Sequence, residues 1–543
     1  MFESLDKTAN KIRLFSILII AVVLILCVRI VHIYGVGVYE KTRDPVKQVM
    51  HKEYRHDIVD RNNNILATSV TVYNFYINSA FIININVIVK KIKKLFPELN
   101  EKSLYERLST GTNGWFLITD NVDEERKNEI LNLGIEGAIF EPYKKRFYPY
   151  GEVFAHVIGY TLQKDGTETG FKGVEKAMNK DLAKGFVKLS LDATVQSIIY
   201  ENLLETYNKF NAKGAFAILV DLETREIISS ISLPSFNPME EINPNAASHV
   251  NLPFSATFNL GSVFKVFTIA LGLENGIDPA KSIPMPHSIP VTANFSVTDE
   301  HRTRDSLTLE EILAYSSNVG VALITQKAGF DKQREFFSSL MLFQRPSILQ
   351  IPLGEIAKPI FNSGKWPLSM HYTASYGYGI SISPIHFVQS AGGMVYDGQV
   401  KPLTFLYQNP EFLENKVFEG KQIVEHKHIK ELQKMMRSVV EIGTARRATI
   451  NGYSVCGKTG TAVKFNAVTK KWDHSKKLLS FFSVFPCETQ RYAMYVGIDE
   501  PDKSGAFLQA SNTVVQTSSN IIKIVAPMLN LKPDKETDGG SAK

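Results

Sequence analysis

Ser262-Val263-Phe264-Lys265, Ser316-Ser317-Asn318 and Lys458-Thr459-Gly460-Thr461 occur in that order along a chain of 543 residues. Together they hold every group that acyl transfer through a serine ester requires. A serine hydroxyl is a weak nucleophile at neutral pH and needs a base beside it. Residues 262–274 are apolar nearly all round (Val263, Phe264, Val266, Phe267, Ile269, Ala270, Leu271) and predict a buried helix, stopped at Gly276. Positions three apart share a helix face, so Ser262 and Lys265 are neighbours. An amine held in an apolar site loses solvation of its charged form, its pKa falls, and it can take the serine proton. The helix N-terminus favours negative charge developing at Ser262.

The second motif follows a helix whose start is marked by Thr308 and Glu311, the spacing of a capping box. A turn beyond that helix would push Ser316 and Asn318 into a cleft, Ser316 to relay a proton and Asn318 to bind a substrate amide. The third motif lies on an expected strand, Tyr453 to Val463, whose Gly457 and Gly460 allow another backbone close. Lys458 supplies positive charge, and Thr459, Gly460 and Thr461 can bind a substrate carboxylate. The N–H of Thr461 with that of Ser262 would form an oxyanion hole. Each motif alone has an ordinary reading: a snorkelling lysine, a surface turn, a glycine-bearing strand. The ordered set carries the argument.

The elements around these motifs read as α+β. Gly214 to Val220 and Glu226 to Ile231 predict a hairpin. Tyr453 to Val463, Leu478 to Phe485 and Tyr492 to Ile498 predict three more strands, and Ser511 to Leu529 a helix with one apolar face. A five-stranded antiparallel sheet flanked by helices follows, with the helical region from Ser262 to about Gln399 between the two strand groups. The expected organisation is a tail and anchor over 1–40, an elongated mixed module over 41–195, a catalytic domain over 196–531 and a disordered polar tail over 532–543. Thr71 to Ile77 reads as a strand and Val87 to Leu95 as a helix. No catalytic constellation stands in 41–195; His51, His56 and His156 lack metal-ligand spacing and read as structural.

Hydrophobic content of 44% and charged content of 21% are those of an ordinary globular protein. A net charge of +6 on scattered lysines gives no support to nucleic-acid binding. No metal or cofactor is expected. Leu14 to Val28 carries no charge, and the apolar character continues past Arg29 through Ile30, Val31, Ile33 and Val36. This predicts a single membrane-spanning anchor. Lys7, Lys11 and Arg13 precede it, placing the N-terminus in the cytoplasm and the catalytic domain outside. The rival is a cleaved signal peptide, but no small-residue cleavage site follows. Of three cysteines, Cys27 lies in the anchor. Cys456 and Cys487 are expected as buried free thiols, or as a disulfide if their strands pair as a hairpin.

With these motifs the chain resembles the serine penicillin-recognising enzymes, specifically the class B penicillin-binding proteins, which are D,D-transpeptidases that crosslink peptidoglycan. Further stretches carry the resemblance: Arg55-His56-Asp57-Ile58-Val59-Asp60-Arg61-Asn62, Tyr148-Pro149, His156-Val157-Ile158-Gly159-Tyr160, Gly170 to Glu175, Leu191-Asp192 with Gln196, Tyr376-Gly377-Tyr378-Gly379 and Ser383-Pro384. The chain departs from the usual pattern at Leu260, Val263, His56 and Asn63, none of which does chemistry; Asn63 tolerates the positive φ that glycine usually supplies.

The resemblance is closest to the septal cell-division group (the FtsI group). No further repeat follows the last helix, and no glutamate-centred glycosyltransferase motif precedes the catalytic domain. It implies a pedestal or dimerisation module before the catalytic domain and peptidoglycan stem peptides as substrate. Beta-lactams are the implied inhibitors, with a polytopic glycosyltransferase and other division proteins as partners. The elongation-specific transpeptidase and a D,D-carboxypeptidase using water as acceptor remain alternatives. A beta-lactamase fits poorly with an anchor and so large a module. A beta-lactam sensor would need more membrane spans, and a scaffold would not need intact Ser262, Lys265, Ser316, Asn318 and Lys458.

Overall fold

The computed structural model describes residues 17, 19–31, 55–109, 114–164, 167–300, 304–408, 420–466, 469–502 and 508–534. By compactness the chain divides into two units, one holding Val70–Lys145 and the other Arg55–Ser69 with Arg146–Lys543. The family of folds is α+β in both.

In the smaller unit, the strand stretch 73–78 pairs antiparallel with Trp115–Val122, the partners running from Tyr73 opposite Val122 to Asn78 opposite Trp115. Helices Ile85–Leu95 and Glu101–Ser109 close its core, with Ile88, Val89, Ile92, Leu104, Phe75 and Ile77 buried. Asn84 caps the first of these helices by accepting from the N–H of Val87.

In the larger unit a sheet is built from β1 (Gly214–Asp221), β2 (Glu226–Leu233), β3 (Ile348–Leu349), β4 (Leu403–Thr404), β5 (Cys456–Asn466), β6 (Lys471–Phe485) and β7 (Tyr492–Asp499), in the order β3-β4-β2-β1-β7-β6-β5. The five predicted strands all form and pair antiparallel as β2-β1-β7-β6-β5. The expectation of five strands is corrected to seven, because β4 and β3 extend the sheet in parallel beyond β2. These are two-residue strands, too short to show any alternation in sequence.

Every residue of β1, β2 and β7 is buried, so helices cover the sheet on both faces. The helices used below are α1 (Ala193–Lys209), α2 (Lys265–Glu274), α3 (Leu309–Ala314), α4 (Asn318–Ala328), α5 (His426–Glu441) and α6 (Val514–Met528). α1 packs with α6 against the sheet, while α2 packs with α4 and α5. α2 is apolar nearly all round, and all its residues from Lys265 to Leu273 are buried.

Several sequence motifs turn out to hold this unit together. Glu175 is fully buried between Arg55, whose Nε donates at 2.6 Å, and Arg146, whose Nε donates at 2.7 Å. Two guanidinium groups on one carboxylate satisfy a charge that burial alone would make costly. Asp60 accepts from the N–H groups of Asn62, Asn64 and Ala193, and Asn63 takes a φ of 67° in that turn. His156 is buried, its Nε2 lies 2.8 Å from the carbonyl of Ser248, and burial lowers its pKa to about 4.

Cys456 and Cys487 are joined as a disulfide, with Cα atoms 5.2 Å apart. The expectation of free thiols is corrected: Cys456 lies opposite Val484 in the β5–β6 ladder, and the chain needs only three more residues to reach Cys487. The tail expected to be disordered from Lys532 is held at its start, where Asp534 accepts from the N–H of Ser454 and donates its own N–H to Gly452; residues 535–543 lie outside the described residues. The expected anchor lies partly outside them too. Residues 17 and 19–31 are helical with exposed apolar side chains. Among the described residues no helix is long and apolar enough to cross a membrane.

Candidate active site

The first motif sits where the chain passes from a single 3-10 turn, Gly261–Phe264, into α2. Ser262 is half-buried at this entry, and Lys265 lies one turn on, with no exposed surface. The turn is set by a close crossing of two glycine backbones. Gly261 has φ +62° and Gly377 has φ +87°; the Gly261 N–H donates to the carbonyl of Gly377 at 3.2 Å. A Cβ on Gly377 would fall 2.2 Å from the Gly261 carbonyl oxygen, so only glycine fits there.

The second motif is positioned by the predicted capping box. Thr308 accepts from the N–H of Glu311, and the Glu311 carboxylate accepts from the N–H of Thr308. α3 then ends, and Ser316 adopts φ 62°, a left-handed conformation that turns the chain sharply. Ser317 caps α4 by accepting from the N–H of Gly320. Asn318 is the first residue of α4 rather than part of the turn, and its side-chain N–H donates to the carbonyl of Thr298 at 3.1 Å.

The third motif lies on β5, the end strand of the sheet. The N–H of Val463 donates to the hydroxyl of Tyr378 at 3.0 Å, so it points off the open edge. Backbone direction repeats every second residue in a strand, and the β5–β6 register is regular from Cys456 to Val463. The N–H and C=O of Thr461 therefore point off the same edge. Gly261 lies against them, since a Cβ there would be 2.3 Å from the Thr461 carbonyl oxygen. The chain entering Ser262 thus runs alongside the Thr461 edge.

These three elements bring the side chains into one network. The Lys265 amine donates to Ser262 Oγ at 3.1 Å, to Ser316 Oγ at 3.0 Å and to the Ser316 carbonyl. The Lys458 amine donates to Ser316 Oγ at 3.0 Å and to the Thr459 carbonyl at 3.2 Å. Ser316 Oγ therefore sits between two amines. Both lysines are wholly buried. Burial pushes Lys265 down to about 7, against the opposing pull of Asp299 and Glu300. Burial, and then the charge of Lys265, hold Lys458 well below the usual lysine range.

An amine titrating near neutrality, in contact with a serine hydroxyl, has the properties that a general base needs at working pH. The other residues of the third motif differ in access. Thr461 is exposed, whereas the buried Thr459 hydroxyl shares a 2.7 Å hydrogen bond with Thr444. A Cβ on Gly460 would meet the Leu260 carbonyl at 2.9 Å, so that glycine serves close backbone approach.

Four residues of this neighbourhood escape the sequence reading. Asp299 accepts from Ser317 Oγ at 2.7 Å and from the N–H of Val319 at 3.0 Å, tying the start of α4 down. Tyr378 braces the β5 edge and Gly377 shapes the nucleophile turn; both stand inside the Tyr-Gly-Tyr-Gly stretch, the signal that could have found them. Nothing in sequence marks Asp299 or Thr444.

Residues 215–519 match the family described as penicillin binding protein transpeptidase domain, and residues 52–200 match that described as penicillin-binding protein dimerisation domain. A Caulobacter vibrioides protein named probable peptidoglycan D,D-transpeptidase FtsI is 28% identical over 498 residues, covering 89% of this chain and 82% of its own. A Buchnera aphidicola protein named peptidoglycan D,D-transpeptidase FtsI is 26% identical, covering 97% of this chain and 96% of its own. The Escherichia coli protein of that name is 25% identical, covering 80% of this chain and 76% of its own. With three ordered motifs closing on one serine and both domains matched, the chain belongs to the penicillin-binding proteins, as a class B member of the FtsI type.

Proposed function

We propose that the chain is a peptidoglycan D,D-transpeptidase working through an acyl-enzyme on Ser262. The observation that carries this reading is the Lys265 amine: neutralised near pH 7 by burial, 3.1 Å from Ser262 Oγ and 3.0 Å from Ser316 Oγ. Lys265 takes the Ser262 proton as Oγ attacks the carbonyl between two terminal D-alanines of a stem peptide. The N–H groups of Ser262 and Thr461 hold the oxyanion. The C–N bond breaks, and the departing D-alanine amine receives a proton through Ser316, which Lys265 and Lys458 both contact. The amine of a second stem peptide then attacks the ester, gives up a proton along the same relay, and frees Ser262 as the crosslinking amide forms. Asn318, whose amide donates to the Thr298 carbonyl, and the exposed Thr461 would bind the substrate's amide and carboxylate.

The FtsI names of the relatives support a role at the division septum, beside a polytopic glycosyltransferase and other division proteins. The apolar stretch from Leu14 supports a single anchor, with the N-terminus in the cytoplasm and the catalytic unit outside. Beta-lactams imitate the acyl-D-alanyl-D-alanine unit and acylate the same serine. Fluorescent penicillin with peptide mapping tests this: label on the Ser262 peptide, and none in a folded Ser262→Ala protein, is expected. Label persisting in Ser262→Ala would overturn the assignment. A donor peptide supplied with a diamino acceptor then distinguishes a crosslinked product from simple release of D-alanine, the carboxypeptidase outcome.

A further inference from the structure

The strands that carry the active-site edge run past the sheet as a hairpin, β5 continuing to Asn466 and β6 beginning at Lys471. Residues 464–477 hold five lysines (Lys464, Lys470, Lys471, Lys476, Lys477) against one acid, Asp473, a net of +4. The whole chain carries only +6, so this short stretch is a concentrated positive patch. Part of the charge is already answered. Lys464 binds Asp499 and Glu500, and Lys476 reaches Glu500 at 3.6 Å. Lys470 and Lys471 are exposed and form no ion pair among the described residues.

The hairpin also carries two aromatic rings. Phe465 and Trp472 are directly opposite across the strands, with ring centres 5.4 Å apart. They are 51% and 45% exposed, a two-ring apolar face left partly open among the described residues. This face is continuous with the catalytic centre. Trp472 meets Tyr378 edge-on at 5.2 Å, Tyr378 accepts from the β5 edge at Val463, and the neighbouring Gly377 crosses Gly261 beside Ser262.

We propose that this hairpin is a docking ledge for the anionic glycan–peptide strand that bears the reacting stem. The inference rests on the transpeptidase reading, which supplies a substrate whose stems carry carboxylates and whose sugars offer apolar ring faces. The lysines attract the carboxylates, and the Phe465–Trp472 face receives the sugar rings. Continuity with Tyr378 and the nucleophile favours this occupant over an anionic lipid surface, which would need no path to Ser262. Substrate is then held by its polymer outside the cleft as well as by its dipeptide within it.

The test uses the full chain in detergent, purified insoluble peptidoglycan, and two variants, Lys470→Glu/Lys471→Glu and Trp472→Ala. Sedimentation with peptidoglycan is measured at low and high salt, and fluorescent penicillin, which bears no glycan strand, reports Ser262 separately. The charge reversal should weaken sedimentation roughly tenfold and blunt its salt dependence. Trp472→Ala should weaken it roughly fivefold, both with the labelling rate unchanged. Unchanged sedimentation in both variants overturns the ledge. So does a parallel fall in labelling rate in both, which would mark a distorted β5. Loss of flotation with phosphatidylglycerol vesicles, with peptidoglycan binding intact, overturns it in favour of a membrane contact. Wild-type protein that sediments as expected but takes no penicillin supports the ledge and refutes the acyl-enzyme reading alone.

Discussion

If Lys265 is the base for Ser262, acylation must follow the neutral fraction of that amine. With a pKa of about 7, half of it is neutral at pH 7. An ordinary lysine near 10.4 would be neutral to only about 0.04% at that pH. Burial thus raises the available base roughly a thousandfold. The acid limb follows directly: acylation should sit on a plateau above about pH 8 and fall tenfold per unit below pH 6, to roughly one hundredth of the plateau at pH 5.

The assay is the second-order rate of fluorescent penicillin labelling between pH 5 and 9, with circular dichroism confirming the fold throughout. Asp299→Asn sharpens the test. Asp299 raises the Lys265 pKa, so neutralising it should move the acid limb to lower pH. Stability follows its own sign. Lys265 binds its proton more weakly folded than unfolded, so between about pH 7 and 10.5 the unfolded state holds more protons and this residue's contribution rises with pH. A labelling rate flat from pH 5 to 8, a midpoint above pH 9, or an upward move in Asp299→Asn would each refute Lys265 as the base.

Three further outcomes follow from the geometry. Gly377→Ala would place a Cβ 2.2 Å from the Gly261 carbonyl oxygen at φ +87°; the displaced nucleophile turn should label about a hundredfold more slowly, and a wild-type rate would show that the crossing is not what aims Ser262. Glu175→Ala strands the buried guanidinium groups of Arg55 and Arg146, and should cost about 3–5 kcal/mol in denaturant unfolding while folded molecules still label normally. The Cys456–Cys487 bridge closes a separation of 31 residues; replacing both cysteines by alanine should cost roughly 3–4 kcal/mol, and intact wild-type stability in reductant would contradict a structural bridge.

Much of the site was legible because its chemistry is local in sequence. Ser262 and Lys265 share one helical turn, and Thr308 and Glu311 cap one helix, so spacing alone placed them. The five long strands showed themselves through β-rich runs of six to eleven residues. The two-residue strands β3 and β4 had no such run and were missed. The disulfide was left open because pairing depends on the β5–β6 register, which spacing between cysteines does not reveal. Asp299 and Thr444 were invisible for a related reason: a lone acid in a loop and a threonine after a helix acquire meaning only from what folds against them.

The amino-acid sequence by itself singled out Ser262, Lys265, Ser316 and the strand that carries Lys458, because the members of each motif lie within a turn or so of one another along the chain. Only the tertiary structure decided that Ser316 Oγ lies between two buried amines and that Gly377 crosses Gly261. It alone brought Glu175 under two arginines and set the Thr461 edge beside Ser262. Those are contacts between elements far apart in the chain. They arise when burial of the apolar faces of α2, α4 and the sheet takes Lys265 and Lys458 out of water beside Ser316, and desolvation pulls the Lys265 amine toward neutrality.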